Sequence, residues 1–272
     1  MRISAMIRPD PRAQGGLAGP MTDYARRIEA AGFPGIWVGD SLGRGRPTLD
    51  PLIELATVAA VTQRVELGIS VLQLPLRNPI ELAHRVQSVQ ALCGNRLVLG
   101  VGSGSTRADF ELLGYDYDHR FGAMKRGLET MRKTWRGEPV NTGRTLSLWP
   151  GCEGGPPILM GAWRSPRWIT FAAQECAGWT PSGRFSSWDD LEFGMRIFRE
   201  AGGTKAVLAN VAIDLAGRPE SAALAEIATS LVCPADEARR RLQRMKQIGF
   251  DEVLLVSHSN ALEDLERGRD MV

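Results

Sequence analysis

The sequence contains little cysteine, and none of it is arranged for metal binding or cross-linking. The four cysteines are Cys93, Cys152, Cys176 and Cys233, so no two of them form a close pair. Zinc sites use closely spaced cysteines, and small secreted scaffolds use a high density of them. We therefore interpret all four as packing residues and expect a reducing compartment, the cytoplasm.

Long apolar runs and an excess of one charge are also missing. The chain has no run of about 20 apolar residues, the length that crosses a bilayer, and no signal-peptide pattern. Its 33 basic and 31 acidic residues leave a net charge of +2, which does not suggest a nucleic-acid surface. These absences argue against membrane and nucleic-acid partners.

Familiar catalytic and metal-binding patterns are scarce. The histidines His84, His119 and His258 lack metal spacing, so we expect no metal. His84 and His119 fall on predicted helices, where a structural role is favoured, whereas His258 ends the last predicted strand. The sequence has no G-x-S-x-G elbow and no paired carboxylates, and the glycines after Val101 lack the rest of a dinucleotide fingerprint.

The stretch from Val65 to Gly104 is the most informative one that is present. Two short apolar runs, Val65 to Val71 and Leu97 to Val101, are typical of parallel strands buried on both faces. Between them, Asn78 and Pro79 form a helix start, because the asparagine caps free N–H groups and the proline needs no donor. The pattern predicts a strand, a crossover helix and a second strand.

The same unit recurs along the chain. Eight apolar runs alternate with helical patterns, and two helix-Gly-Phe-strand joints lie at Gly32-Phe33 and Gly249-Phe250. We predict an α/β fold, a (β/α)8 TIM barrel formed as one domain over residues 1–272, with a Gly-rich hairpin or lid at about 137–155. An open doubly wound sheet is the alternative, although no switch point is visible.

Barrel sites are built at the carboxyl ends of the strands, and two loops there resemble anion cradles. Thr180-Pro181-Ser182-Gly183-Arg184 combines a flexible backbone, hydroxyls and a guanidinium, and Gly102-Ser103-Gly104-Ser105-Thr106 offers N–H groups and hydroxyls. Each could equally be a turn that uses Gly and Ser for backbone freedom. A phosphate-binding site poor in acid and base groups fits a protein whose cofactor carries the chemistry.

Six segments resemble the successive motifs of the luciferase-like monooxygenase superfamily. They are GFPGIWVGD (32–40), LGISVLQLPLRNPIELAHR (67–85), NRLVLGVGSG (95–104), HRFGAMKRGLETMRKTWRGEPV (119–140), PPILMGA (156–162) and AGWTPSGR (177–184). This superfamily includes FMN-dependent monooxygenases and oxidoreductases that use the deazaflavin coenzyme F-420. The likeness to the deazaflavin branch is strongest around residues 67–104 and 180–184.

The resemblance implies a site at the strand ends and a homodimer through helices beside strands two to four. Ser70-Val71 would be a bulge with a non-prolyl cis peptide that backs the flavin-like ring, and Asp40 would lie near the reactive edge. The residues implied to bind the cofactor are Asp40, Ser70, Val71, Gly102, Ser103, Gly104, Ser105, Gly161, Ala162, Thr180, Pro181, Ser182, Gly183 and Arg184. Asp40 and Ser41 are the candidate catalytic residues.

Two positions depart from the deazaflavin sugar dehydrogenases. Ser41 stands where those enzymes, and luciferase itself, have a histidine, and Ser105 stands where the dehydrogenases have an acid. We therefore expect a small organic substrate other than a sugar, with hydride transfer to or from coenzyme F-420. The alternatives are an FMN-dependent monooxygenase supplied by a flavin reductase and a non-catalytic flavin-binding protein.

Overall fold

The computed structural model describes residues 1–9, 16–42, 45, 47–257 and 260–272. Within them the strands are β1 (Arg2–Met6), β2 (Gly35–Val38), β3 (Glu66–Gln73), β4 (Leu97–Gly102), β5 (Ile158–Gly161), β6 (Gly178–Thr180), β7 (Val207–Ala212) and β8 (Glu252–Val256). The α-helices are α1 (Ala18–Ala30), α2 (Pro51–Ala59), α3 (Pro79–Cys93), α4 (Arg107–Leu113), α5 (Arg120–Trp135), α6 (Pro166–Glu175), α7 (Trp188–Glu200), α8 (Ala235–Ile248) and α9 (Leu262–Arg269).

The strands form one parallel sheet in the order β6-β5-β4-β3-β2-β1-β8-β7. The two strands at the ends of this order are joined by the parallel bridges Trp179–Ala206 and Ser182–Ala209. Alternation of eight strands with helices and a sheet joined at its ends define a (β/α)8 barrel. The predicted fold class is confirmed, and the open doubly wound alternative is wrong.

The chain divides into two compact units. The terminal unit consists of Met1–Arg8, Tyr24–Trp37 and Ile158–Val272, and the central unit consists of Pro9–Asp23 and Val38–Pro157. The expectation of a single domain over residues 1–272 stays a prediction. Among the described helices, none combines the length and the apolar character that crossing a bilayer requires.

Local capping signals determine where two central-unit helices begin. The Asn78 side chain accepts hydrogen bonds from the N–H groups of Ile80 and Glu81 at 2.9 and 3.2 Å, and Gly94 closes α3 in the left-handed conformation. The Asp50 side chain caps α2 in the same way. The same cap-and-proline pattern predicts a helix start at Asp50-Pro51, and these contacts confirm this start and the one at Asn78-Pro79.

The other differences between the predicted and the observed elements concern short or irregular segments. The excursion at 137–155 has one antiparallel bridge, Val140–Arg144, and no regular strand. The apolar pattern of 219–244 predicts at least one helix and at most two, and the structure has a 3-10 helix at Pro219–Leu224 and most of α8 there. The short helix α9 was not predicted.

Glu54 gives the central unit a pH-dependent stability. This α2 residue is 3% exposed, and its Oε1 has no hydrogen-bond partner among the described residues. Burial raises the pKa of Glu54 to about 8, so the folded state holds a proton that the unfolded chain releases near pH 4.5. Stability should therefore fall by up to about 1.4 kcal/mol per pH unit as pH rises between these values.

Glu54→Gln should remove this slope and raise the free energy of unfolding at pH 8 relative to the unmodified chain. Urea unfolding at several pH values measures the effect. Glu200→Gln, on the exposed end of α7, is the matched control and should leave the slope intact. A Glu54→Gln variant with an unchanged slope would show that Glu54 is ionised in the folded protein.

Candidate functional site

The structure places the sequence-predicted residues at or near strand ends. Asp40 and Ser41 follow β2, Gly102 ends β4, Gly161 ends β5 and Thr180 ends β6. The apolar run places Ser70-Val71 at the end of its strand. This position is wrong, because β3 continues past the dipeptide to Gln73. The strand is longer than the apolar run suggests because Leu72 and Gln73 still pair with β4, opposite Val101 and Gly102.

Ser70-Val71 forms an irregularity in the middle of β3. The register with β4 shifts between Ile69 and Leu72, and the Ser70–Val71 peptide bond is cis. Ser70 is buried and Val71 is partly exposed. The bulge with a non-prolyl cis peptide, expected from the family resemblance, is therefore confirmed.

Two glycines of β4 leave room for this bulge. A Cβ atom at Gly100 would lie 2.2 Å from the Ile69 carbonyl oxygen, and one at Gly102 would lie 2.7 Å from Val71 Cγ2. Neither distance is tolerated by real side chains, so glycine is required at both positions. The L-G-V-G pattern thus shapes the strand beside Val71.

Asp40 is held in a buried ion pair that the sequence did not reveal. Its Oδ2 accepts hydrogen bonds from the Gln73 N–H at 2.8 Å and from Arg77 Nη1 at 2.7 Å, and its Oδ1 accepts from Arg77 Nη2 at 2.9 Å. The Asp40 side chain is 2% exposed and that of Arg77 is 12% exposed. Such a two-pronged pair fixes both partners, so Asp40 ties the end of β2 to the loop after β3.

Packing also explains the loop from Gly102 to Ser105. Gly104 has φ +76°, and a Cβ there would lie 2.8 Å from the Phe110 ring. Farther along, the Tyr117 hydroxyl donates to the Ser105 carbonyl at 3.2 Å. These contacts account for the glycines without a ligand, and the cofactor role of Gly102, Ser103, Gly104 and Ser105 stays a prediction.

The terminal unit supplies the second predicted loop, Thr180 to Arg184. The Thr229 hydroxyl donates to the Gly183 carbonyl at 2.5 Å, and the Ala209 N–H donates to the Pro181 carbonyl at 3.0 Å. Ser182 is buried and Arg184 is exposed. The backbone of this loop is therefore fixed against β7, while the guanidinium extends from it.

Aromatic side chains border this loop. Trp179 Nε1 donates to the Ala162 carbonyl at 2.8 Å, which fixes the backbone after Gly161. The exposed rings of Trp163 and Phe185 have centroids 5.0 Å apart. Gly161, Ala162 and Thr180 to Arg184 thus lie in one neighbourhood of the terminal unit.

A small pocket opens in the terminal unit beside Arg184. Its polar lining includes Arg8, Arg184, Asn210, Thr229 and Ser230. Arg8 lies just after β1, where the strand-end rule places site residues, whereas Asn210 lies inside β7 and was not selected as a binding residue. Asn210 has φ +58° at a register shift of β7, and a left-handed asparagine inside an apparent strand gives no local signal except its polarity.

A second buried network holds the segment after β7. Arg218 Nη1 contacts both Asp214 Oδ1 at 3.0 Å and Asp264 Oδ2 at 2.5 Å. Burial alone would raise the pKa of Asp214, but hydrogen bonds from Ser221 and from backbone N–H groups bring it below its usual value. These contacts fasten the segment after β7 to α9.

Two of the three histidines, His84 and His119, lie among the described residues. His119 precedes α5, and its Nδ1 lies 2.6 Å from Asp116 Oδ2 in an exposed pair. His84 is an exposed residue of α3. His258 lies outside the described residues. The structure assigns no catalytic partner to His84 or His119.

Comparison with known proteins identifies the family. Residues 1–227 match the model of the luciferase-like monooxygenase family. This chain belongs to that family.

Individual relatives are named for different reactions. The chain is 30% identical over 183 residues to 4-hydroxyprotoasukamycin monooxygenase of Streptomyces nodosus subsp. asukaensis, covering 62% of this chain and 49% of that protein. It is 29% identical over 146 residues to F420-dependent glucose-6-phosphate dehydrogenase of Amycolatopsis mediterranei, covering 50% and 44%. The chain therefore spans about half the length of these curated relatives.

Solved structures support the fold at low identity. The oxygenating constituent of 3,6-diketocamphane monooxygenase from Pseudomonas putida, solved in complex with FMN, superposes with a TM-score of 0.77 at 15% identity, covering 99% of this chain and 96% of that one. At this identity the likeness concerns the fold alone.

Proposed function

We propose that this protein is an oxidoreductase that transfers hydride between coenzyme F-420 and a small organic substrate. The observation that carries the proposal is the bulge of β3 at Ser70-Val71, which lies against Gly100 and Gly102 of β4, together with the buried Asp40–Arg77 pair. A family that includes F420-dependent relatives supports the choice of cofactor.

Each unit offers residues whose chemistry suits one part of a flavin-like cofactor. In the central unit, the partly exposed Val71 would support the ring, with Ser70 and the Gly102 to Ser105 backbone beside it. In the terminal unit, the extended Arg184 guanidinium and the fixed loop Thr180 to Gly183 would hold an anionic phosphate, with Gly161 and Ala162 nearby. Two parallel N–H donors suit a phosphate better than one ammonium would.

The bound cofactor would supply the hydride chemistry, and the chain would supply position and a proton. Asp40 is already an acceptor of three hydrogen bonds and is nearly inaccessible, so we propose that it fixes the loop from Gln73 to Arg77. Ser41, partly buried after β2, would orient or deliver the proton, directly or through water. Holding the reacting groups in a fixed orientation accelerates the reaction between them.

The second candidate is an FMN-dependent monooxygenase. The monooxygenase relative and the FMN-bound structural neighbour favour it. This function would require a separate flavin reductase and a site that shields reduced flavin from water. For either candidate we propose a homodimer of a cytoplasmic protein.

Titration of the purified protein with coenzyme F-420 and, in parallel, with FMN tests the proposal. Ring absorbance and protein fluorescence should report tighter binding of coenzyme F-420. Arg184→Gln should weaken that binding by about 1 to 3 kcal/mol, as loss of one charge-assisted phosphate contact does. Tighter binding of FMN would favour the monooxygenase, and ring binding without any turnover would favour the non-catalytic flavin-binding protein.

Arg196→Gln is the matched control for Arg184→Gln. Both arginines are exposed, and each guanidinium lies near a phenylalanine ring, at 5.7 Å for Arg184 and 5.5 Å for Arg196. Arg196→Gln should leave the dissociation constant unchanged. If the two variants bind coenzyme F-420 with the same dissociation constant, Arg184 does not contact the phosphate.

A further inference from the structure

Two exposed aromatic rings stack at the carboxyl ends of neighbouring strands in the terminal unit. Trp163 follows β5 and Phe185 follows β6, and the two strands pair in parallel with Gly161 opposite Thr180. The ring centroids lie 5.0 Å apart, and the ring planes make an angle of 31°. Trp163 is 38% exposed and Phe185 is 49% exposed. The rings therefore present apolar surface at the strand ends, where barrels of this kind carry their chemistry.

Polar contacts hold the segments that carry the two rings. Ser187 and Asp190 form a capping box at the start of α7, just after Phe185. The same Asp190 carboxylate forms an ion pair with Arg164, with its Oδ1 3.1 Å from Arg164 Nε, and Arg164 follows Trp163 directly. One carboxylate thus joins both segments, so the rings are in place before a ligand binds and less freedom is lost on binding.

Stacked rings of this kind distinguish flat ligands from puckered ones. Exposed apolar patches of unusual size mark binding surfaces. An aromatic face gains from offset contact with another conjugated group, in addition to the burial that any apolar group provides. A saturated group of equal size would gain the burial alone.

The ring of the cofactor leaves this surface to another molecule. A flavin-like cofactor contains one flat ring system, and the proposed function places it against Val71 of the central unit. The phosphate and the chain that carries it offer no second ring. A surface that suits a second flat group is therefore a surface for the substrate.

We infer that Trp163 and Phe185 select a substrate with a flat conjugated group, such as an aryl-substituted unsaturated carbonyl compound, by stacking against it. The inference rests on the proposed function, because it names the substrate class of the same enzyme. It assigns the two residues to specificity, and it leaves cofactor binding and the proton to the residues already described.

Calorimetric titration of the full chain, with and without saturating oxidised coenzyme F-420, tests this inference. The probes are benzylideneacetone, a flat aryl enone, and its fully saturated cyclohexyl analogue. The enone should bind about three- to tenfold more tightly than the analogue. Trp163→Leu and Phe185→Leu should each lower this ratio by about twofold or more and leave the affinity for coenzyme F-420 unchanged. Phe185→Tyr, which keeps the ring, should retain the ratio.

Trp149→Leu and Phe193→Leu are the matched controls. Trp149 is 54% exposed in the excursion at 137–155, and Phe193 is 40% exposed on α7, so both variants should leave the ratio unchanged. Equal binding of the two ketones, binding of neither, or an unchanged ratio in both Trp163→Leu and Phe185→Leu would overturn the inference, while binding of coenzyme F-420 leaves the proposed function standing. Parallel loss of enone and coenzyme affinity would overturn it by assigning the rings to the cofactor. If coenzyme F-420 does not bind, the proposed function fails, and the titration without coenzyme still decides the selectivity.

Discussion

Asp40→Ala is expected to lower the free energy of unfolding by about 3 to 5 kcal/mol, the usual cost of removing one partner from a buried ion pair. The substitution leaves the Arg77 guanidinium, 12% exposed, without its carboxylate. It also removes the acceptor of the Gln73 N–H. Urea unfolding followed by circular dichroism measures the loss.

Asp118→Ala is the control for this prediction. Asp118 forms an ion pair of the same 2.7 Å length with Arg107, but both side chains are more than half exposed. Exposed pairs contribute at most about 1 kcal/mol, so this variant should remain near the stability of the unmodified chain. Equal stability of Asp40→Ala and Asp118→Ala would contradict the importance of the buried pair.

Positioning and proton transfer by Asp40 can be separated with Arg77→Met. That variant keeps the carboxylate and loses the ion pair. If Asp40 acts through position, Asp40→Asn and Arg77→Met should lower turnover of the folded protein to a similar extent. A loss of turnover confined to Asp40→Asn would assign the proton to Asp40 itself.

The second large effect is expected from Gly100→Ala. The added Cβ would lie 2.2 Å from the Ile69 carbonyl oxygen, and a backbone oxygen inside a sheet cannot move aside as a flexible side chain can. We expect a loss of about 3 kcal/mol, at the upper end of overpacking costs. Affinity for coenzyme F-420 should fall as well, because the bulge at Ser70-Val71 would be displaced.

Gly122→Ala provides the comparison. Gly122 lies exposed in α5, and its new Cβ would meet only the end of the flexible Arg126 side chain, at 3.1 Å. Alanine is the better helix former, so stability should stay constant or rise by up to about 1 kcal/mol. A Gly100→Ala variant as stable as Gly122→Ala would show that β3 adjusts easily at the bulge.

Local sequence signals predicted the elements that local chemistry determines. The helix starts at Asn78-Pro79 and Asp50-Pro51 depend on contacts within three residues, and the structure reproduces them. The sequence predicts a fifth strand at Ile158–Gly161 and a sixth at Gly178–Thr180, and the structure has both with these bounds. Recurrence of such units was sufficient to predict the barrel.

Contacts between residues far apart in the sequence could not be predicted from local signals. Asp40 and Arg77 are 37 residues apart, and nothing near either residue specifies the other. The left-handed Asn210 depends on a register shift between β7 and β8, which apolar patterning does not encode. Glycine at 100, 102 and 104 is required by packing, yet the sequence alone cannot distinguish that need from a phosphate cradle.

Anaerobic turnover of reduced coenzyme F-420 tests the central claim most directly. The purified protein, supplied with reduced coenzyme F-420 and a panel of unsaturated carbonyl and imine acceptors, should restore the absorbance of the oxidised coenzyme without oxygen. The same panel with reduced FMN and oxygen should give no oxygenated product. Oxygen-dependent oxygenation with FMN, together with no anaerobic oxidation of coenzyme F-420, would contradict the account and identify a monooxygenase.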